Sequence, residues 1–153
     1  MEILTKSARQ TAGLGEKIAN QLIISHQSSI IALSGELGSG KTTFVQGLAR
    51  GLGIKKRVLS PTFILMRQYA IRYMPYANFY HVDLYRVENE KDVRGLGLSE
   101  IWSNPENIVA IEWAEKIKKI LPKRRWEIYF EYVSDTERRI SINFSCKSCK
   151  VRP

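Results

Sequence analysis

Eight residues, Gly35-Glu36-Leu37-Gly38-Ser39-Gly40-Lys41-Thr42, spell G-x-x-x-x-G-K-T, and no other stretch restricts so tightly what this chain can fold into. Glycines that take φ > 0 let successive backbone N–H groups point inward. The start of the following helix adds its positive end, so the loop becomes a cradle for phosphate oxygens. In such a cradle Lys41 is expected to reach the β- and γ-phosphates, Thr42 to place its hydroxyl on Mg²⁺, and Thr43 to give a second phosphate contact. The chemistry needs a strand before the loop and a helix after it, and the flanks agree. Ser29 to Leu33 is a short apolar run suited to a buried parallel strand. From Thr42 to Leu52, the residues Val45, Leu48, Ala49 and Leu52 fall on one helical face ahead of Gly53.

At 153 residues, 44% of them hydrophobic, the chain has the size and apolar content of one domain with a real core around that loop. We expect this P-loop ATPase domain over 1–145 and a short basic tail over 146–153. No window approaches the roughly 18 uninterrupted apolar residues of a membrane span. The start, Met1-Glu2-Ile3-Leu4-Thr5-Lys6, lacks the apolar stretch of a secretory signal, so a cytoplasmic location is expected. Lys and Arg outnumber Asp and Glu by 24 to 15, and the formal net charge of +9 suits a polyanionic partner such as RNA. Cys146 and Cys149 form one C-x-x-C with too few ligands for a zinc site, and they read as reduced thiols on the basic tail. His26 reads as a solvated loop residue rather than a ligand.

Two later strands end on carboxylates. Asn78 to Asp83 and Ile108 to Glu112 are the candidates, and in open α/β sheets the carboxyl ends of strands line the ligand crevice. The second, four apolar residues and then an acid, fits the Walker B pattern. Glu112 is therefore assigned to the metal with Thr42, and Asp83 to positioning the attacking water or accepting its proton. Thr62, in Ser60-Pro61-Thr62-Phe63, lies in a loop after the P-loop helix, where phosphate-switching NTPases keep a threonine that senses the γ-phosphate. The apolar segment Phe63 to Tyr69 after it is expected as a strand, and Tyr73 to Tyr76 as a turn.

The rest of the pattern completes an α/β reading. Glu2 to Leu4 opens as a strand. Ser7 and Gln10 suggest a helix cap, and Leu14, Ile18 and Leu22 share one face of the helix that follows. Glu88 to Gly95, Ser99 to Trp102 and Ala114 to Leu121 read as short helices. Trp126 to Tyr132 and Ile140 to Phe144 alternate as an antiparallel hairpin around Ser134 to Glu137. The expected architecture is one P-loop NTPase-like α/β domain: a central, partly parallel sheet flanked by helices, with antiparallel additions that include the C-terminal hairpin.

Taken together, Leu14-Gly15-Glu16, Gly35 to Phe44, Ser60-Pro61-Thr62-Phe63, His81-Val82-Asp83-Leu84-Tyr85-Arg86 and Glu112-Trp113 resemble the TsaE (YjeE) family over roughly residues 5 to 133. These are small bacterial P-loop ATPases of tRNA threonylcarbamoyladenosine biosynthesis. The resemblance implies binding of ATP and Mg²⁺, with metal contact through Thr42 and Glu112. It also implies partnership with TsaD and TsaB, which carry and support the transfer chemistry. It further implies that the segment from Ser7 to Thr11 approaches the base or ribose, which makes Thr11 a candidate nucleotide contact. The cradle itself spans Gly35, Glu36, Leu37, Gly38, Ser39, Gly40, Lys41, Thr42 and Thr43, with Lys41, Asp83 and Thr62 as the catalytic set. Arg86, close after Asp83, is a candidate arginine finger in cis. A second reading is a small-molecule P-loop kinase, with Lys123-Arg124-Arg125 as a lid. A third is a basic RNA-binding module with an incidental P-loop, which would leave Asp83 and Glu112 unexplained.

Overall fold

The P-loop strand runs through the middle of the molecule. The computed structural model describes residues 1–25, 29–72 and 75–145, so His26, Tyr73, Met74 and the Cys146–Cys149 tail lie outside the described residues. The strands are β1 (Glu2–Thr5), β2 (Ile30–Gly35), β3 (Met66–Ala70), β4 (Asn78–Asp83), β5 (Asn107–Glu112), β6 (Arg125–Tyr132) and β7 (Arg138–Ser145). The helices are α1 (Ala8–Ser25), α2 (Lys41–Gly51) and α3 (Leu98–Ser103). They build a seven-stranded sheet in the order β1-β7-β6-β2-β5-β4-β3. The four strands β6, β2, β5 and β4 are mutually parallel, and β1, β7 and β3 join antiparallel at the edges. The expected mixed sheet and C-terminal hairpin are both present.

The parallel core explains why the strand before the loop is apolar without alternation. Ile31 and Leu33 point into a core shared with α1 and α2, where Leu14, Ile18, Leu22, Phe44 and Leu48 are buried. Ile30 and Ala32 point to the other face, against Val82, Leu84, Val109, Ile111 and Ile117. A strand covered on both sides has no solvent face to mark with polar residues. β5 is buried at every position for the same reason.

Three local expectations differ in detail. β3 begins at Met66 rather than Phe63, because the Pro61 carbonyl accepts from both Ile64 N (3.0 Å) and Leu65 N (2.6 Å). That winds 62–64 into a turn, leaves Phe63 and Ile64 exposed, and puts Leu65 at φ 63°. The segments read as helices at Glu88–Gly95 and Ala114–Leu121 are 3₁₀ turns, Glu90–Leu96 and Ala114–Ile117. Their bonds run i→i+3, as in Asp92 N to Asn89 O and Lys116 N to Trp113 O. Side chains three apart eclipse at that pitch, so Ala114 and Ile117 reach the core together.

α1 and α2 cross closely because glycine removes the side chains between them. A Cβ on Gly47 would lie 1.8 Å from the Ala12 carbonyl oxygen, which no rearrangement of a flexible side chain can relieve. Gly13, on the same helix as Ala12, has nothing within 4 Å of such a Cβ. Gly47→Ala is therefore expected to lower the thermal midpoint by about 5 °C or more, through an overpacking cost of roughly 2 kcal/mol. Gly13→Ala should leave stability unchanged or raise it by up to about 1 kcal/mol, since it removes a glycine from a helix interior without a clash. Equal melting of the two variants would contradict this packing.

Candidate functional site

β2 delivers the chain to the cradle at Gly35, and α2 leaves it at Lys41. Gly35, Gly38 and Gly40 take φ of 136°, 75° and 97°, values that a side chain would strain, and Gly40 caps α2 without any side-chain hydrogen bond. The first N–H groups of a helix have no intrahelical partner, and here they face the cleft together with the positive end of the helix dipole. Lys41 is only 4% exposed. Its Nζ donates to the Gly35 carbonyl (2.6 Å), the Glu36 carbonyl (2.7 Å) and Ser39 Oγ (3.3 Å), and lies 4.1 Å from the centroid of the Trp113 ring. Burial lowers its pKa from the ordinary lysine value, against the opposing pull of Glu112, Glu115 and Asp83. A cation held this way gains from an anionic ligand.

The two strand-end acids stand side by side. β4 and β5 are parallel neighbours in a register that pairs Asp83 with Glu112, so both carboxylates arrive at the same edge of the cradle. Thr42 Oγ1 donates to both oxygens of Glu112, at 3.0 and 2.9 Å, and His81 Nε2 hydrogen-bonds Glu112 Oε1 at 2.7 Å. Because a carboxylate only accepts, Nε2 is the donor. His81 is fully buried, and its Nδ1 has no hydrogen-bond partner among the described residues. Its bond fixes the direction in which Glu112 points.

Asp83 is held by a separate set. Its Oδ2 accepts from Ser60 Oγ and from Thr62 Oγ1 (2.8 Å), while Oδ1 accepts from Tyr85 N (2.9 Å). The Asp83 amide in turn donates to the Leu65 carbonyl at 2.9 Å, so the loop after Pro61 is docked on this aspartate by side chain and backbone alike. The cleft between these groups has a volume of about 360 Å³, and its walls include Leu37 to Thr43, Ser60, Thr62, Asp83, Glu112, Trp113 and Arg138.

The donor set suits a hard divalent ion. Among the described residues no group of three or more His, Cys, Asp or Glu could hold a metal by itself. One hydroxyl and one or two carboxylates are, however, what Mg²⁺ takes from a protein when phosphates and water complete its octahedron. Thr42 and Glu112 are the pair that fits, and Asp83 is tied to the Thr62 loop instead.

Several sequence candidates sit elsewhere. Glu36 is exposed on the loop away from the cleft lining, whereas Leu37, also exposed, is part of the cleft wall, and the Gly35 carbonyl serves Lys41. Thr11 is buried, shares a 2.8 Å hydrogen bond with Thr5 Oγ1, and puts its methyl group against Gly40 instead of lining the cleft. Arg86 stacks its guanidinium 4.3 Å from the centroid of exposed Phe63. Of the basic run 123–125, Arg125 is buried at the start of β6, bonded to Pro122 O and Glu127. The register pairs Ile31 with Trp126 and Gly35 with Phe130. Arg125 is thus at the far end of the strands from the loop, about 15 Å away at ~3.3 Å per residue. Ser60, His81 and Arg138 were not among the sequence candidates. Ser60 and His81 carried a signal, since they flank Thr62 and Asp83 at a spacing of two. Arg138 carried none.

Glu112→Ala is expected to remove most of the Mg²⁺-dependent gain in nucleotide affinity, by about tenfold or more, while affinity in excess chelator changes little. Calorimetric titration with and without Mg²⁺ measures both, and equal losses in the two conditions would take Glu112 off the metal.

The family profile described as TsaE, threonylcarbamoyl adenosine biosynthesis protein TsaE, matches residues 5–140. The tRNA threonylcarbamoyladenosine biosynthesis protein TsaE of Bacillus subtilis (strain 168) is 40% identical over 113 residues, covering 74% of this chain and 68% of that protein. The protein of the same name from Treponema pallidum (strain Nichols) is 34% identical over 142 residues, 93% of this chain and 99% of its own length. The crystal structure of Bacillus subtilis YdiB superposes with a TM-score of 0.74 at 29% identity, over 95% of this chain and 84% of that one. With its P-loop fold and a match over most of its length, the chain belongs to the TsaE family of tRNA threonylcarbamoyladenosine biosynthesis proteins.

Proposed function

We propose that this protein is a Mg²⁺-dependent ATPase of the cytoplasm. In this reading it turns over slowly alone and acts with TsaD and TsaB in threonylcarbamoyladenosine formation on tRNA, without performing the transfer itself. The observation that carries the reading is the pairing of two separate devices at one cradle: Thr42 with Glu112, and Thr62 with Asp83. The first pair would hold a divalent ion beside the phosphates. The second joins a carboxylate that can position water to a threonine in a loop that can follow the γ-phosphate. When bound, Mg²⁺ would neutralise charge on the phosphates. Lys41 adds a cation from the loop, and Asp83 accepts hydrogen bonds at the edge where water would attack.

Slow turnover alone is supported by the arginines. Among the described residues, Arg138 is the arginine that lines the cleft, and its N–H groups are taken up by carbonyls of Gly38, Ser134 and Glu137. Arg86 faces Phe63. Transition-state charge beyond Lys41 and the metal would come from a partner, which in P-loop enzymes raises the rate by roughly 10³-fold or more. A place for that partner is the cleft mouth, where Leu37, Leu59, Phe63, Ile64 and Tyr85 are exposed apolar side chains close to the Thr62 loop. The net charge of +9 suits an assembly that also meets tRNA.

The test is ATP hydrolysis measured against the concentration of TsaD with TsaB, at low and moderate salt. The expected result is a slow basal rate, a partner-dependent rise that weakens as salt increases, and loss of both in Lys41→Ala by about 10²-fold or more. A fast enzyme indifferent to the partners, or undiminished turnover in Lys41→Ala, would overturn the proposal.

A further inference from the structure

The polarity of the cradle determines where the other end of a nucleotide must lie. Thr42, Glu112 and Asp83 hold the terminal-phosphate end, and β5 and β4 carry the two acids on one side of β2. On the other side of β2 come β6 and β7, whose connecting turn rises beside the P-loop. Arg138, the first residue of β7, reaches across that turn. Its Nε and Nη2 donate to the Gly38 carbonyl (3.2 and 3.0 Å), and its Nη1 donates to the carbonyls of Glu137 (2.8 Å) and Ser134.

Those bonds use four of the five N–H donors of a guanidinium, so this side chain is poorly placed to hook a phosphate by its edge. What remains is its flat face. Tyr132, opposite Arg138 in the β6–β7 register, covers one face with its ring centroid 4.5 Å from Cζ. Arg138 lines the cleft and Tyr132 does not, which leaves the face opposite the ring as the one available to a ligand there. An arginine plane locked at its edges and backed by an aromatic ring is a stacking surface for a planar, electron-rich group.

We propose that Arg138, backed by Tyr132, is the plate on which the nucleotide base stacks, and that this contact selects a nucleoside triphosphate over bare polyphosphate. The inference rests on the ATP reading above. Because stacking engages a π-face instead of base-edge hydrogen bonds, the site should accept purines with little discrimination between them.

The experiment is calorimetric titration of the intact protein in Mg²⁺ with ATP, GTP and inorganic tripolyphosphate, for wild type, Arg138→Lys, Arg138→Ala and Tyr132→Leu. Base stacking removed by truncation predicts an ATP affinity about 10- to 100-fold weaker in both Arg138 variants. Lysine should fail to rescue, because it keeps the charge and lacks the plane. Tripolyphosphate affinity should stay within about threefold of wild type in every variant, GTP should follow ATP, and Tyr132→Leu should give a smaller loss for the nucleotides alone. Rescue of ATP binding by lysine would make Arg138 a charge contact. A parallel loss of tripolyphosphate would make it a brace for the P-loop. Either result overturns the inference while leaving the ATP reading intact, as would wild type binding ATP and tripolyphosphate equally. Wild type binding neither would overturn the ATP reading itself.

Discussion

A lysine ammonium taken out of water has to be answered by oxygen, and the site is arranged around that demand at Lys41. Its nearest partners are carbonyls of its own loop, and the carboxylates of Glu112, Glu115 and Asp83 counter the burial that lowers its pKa. The linkage has a definite sign. A lysine whose folded pKa lies below its unfolded value holds its proton less well when folded, so protonation at neutral pH works against the fold. That cost fades only as pH climbs through the folded pKa toward the unfolded value. A polyphosphate in the cradle would reverse it, by giving the ammonium anionic partners in place of carbonyl dipoles. The local cost is thus tied to the ligand-binding role, as strain at functional sites commonly is.

The sheet holds most of this arrangement through its strand ends. β2, β5 and β4 are buried parallel strands whose ends set Gly35, Glu112 and Asp83 in a row, and the Leu84 amide bonds the Glu112 carbonyl at 3.2 Å to keep those ends aligned. The Thr62 loop is different. It is attached to Asp83 through hydroxyls and one backbone bond, and Phe63 at its tip is 82% exposed. The two non-glycine residues with positive φ among the described residues are Leu65, in this loop, and Trp113, directly after Glu112. Uncommon backbone conformations on both sides of one cleft are of the kind that cluster at functional sites.

The loop, the strand-end acids and the core helices were legible because each is a local pattern: a glycine spacing, an apolar run closed by an acid, a 3.6-residue period. The pairing of Thr42 with Glu112 could be proposed from roles alone, although 70 positions separate them. The start of β3 was misplaced because an apolar run says nothing about the Pro61 carbonyl that winds 62–64 into a turn. His81 could not be oriented before the β4–β5 register was known, since that register decides which side chain meets Glu112. Arg138 was invisible for a stronger reason. Its partner Gly38 lies 100 positions away, and nothing in the alternation of β7 says that its first residue will hang over the loop that follows β2. Thr11 is a candidate through family resemblance alone, and its place, buried with its methyl group near Gly40, follows from how α1 packs beside the loop.

In the proposed ATPase, the Thr62 loop would follow the terminal phosphate. Backbone hydrogen exchange at Ile64 and Leu65, whose amides bond Pro61 O, reads that most directly when compared in Mg·ADP and in Mg²⁺ with a non-hydrolysable ATP analogue. Exchange at these amides is expected to slow by about tenfold or more with the triphosphate and to stay near the ligand-free rate with the diphosphate. Equal protection by both nucleotides, or by neither while both bind, would contradict it.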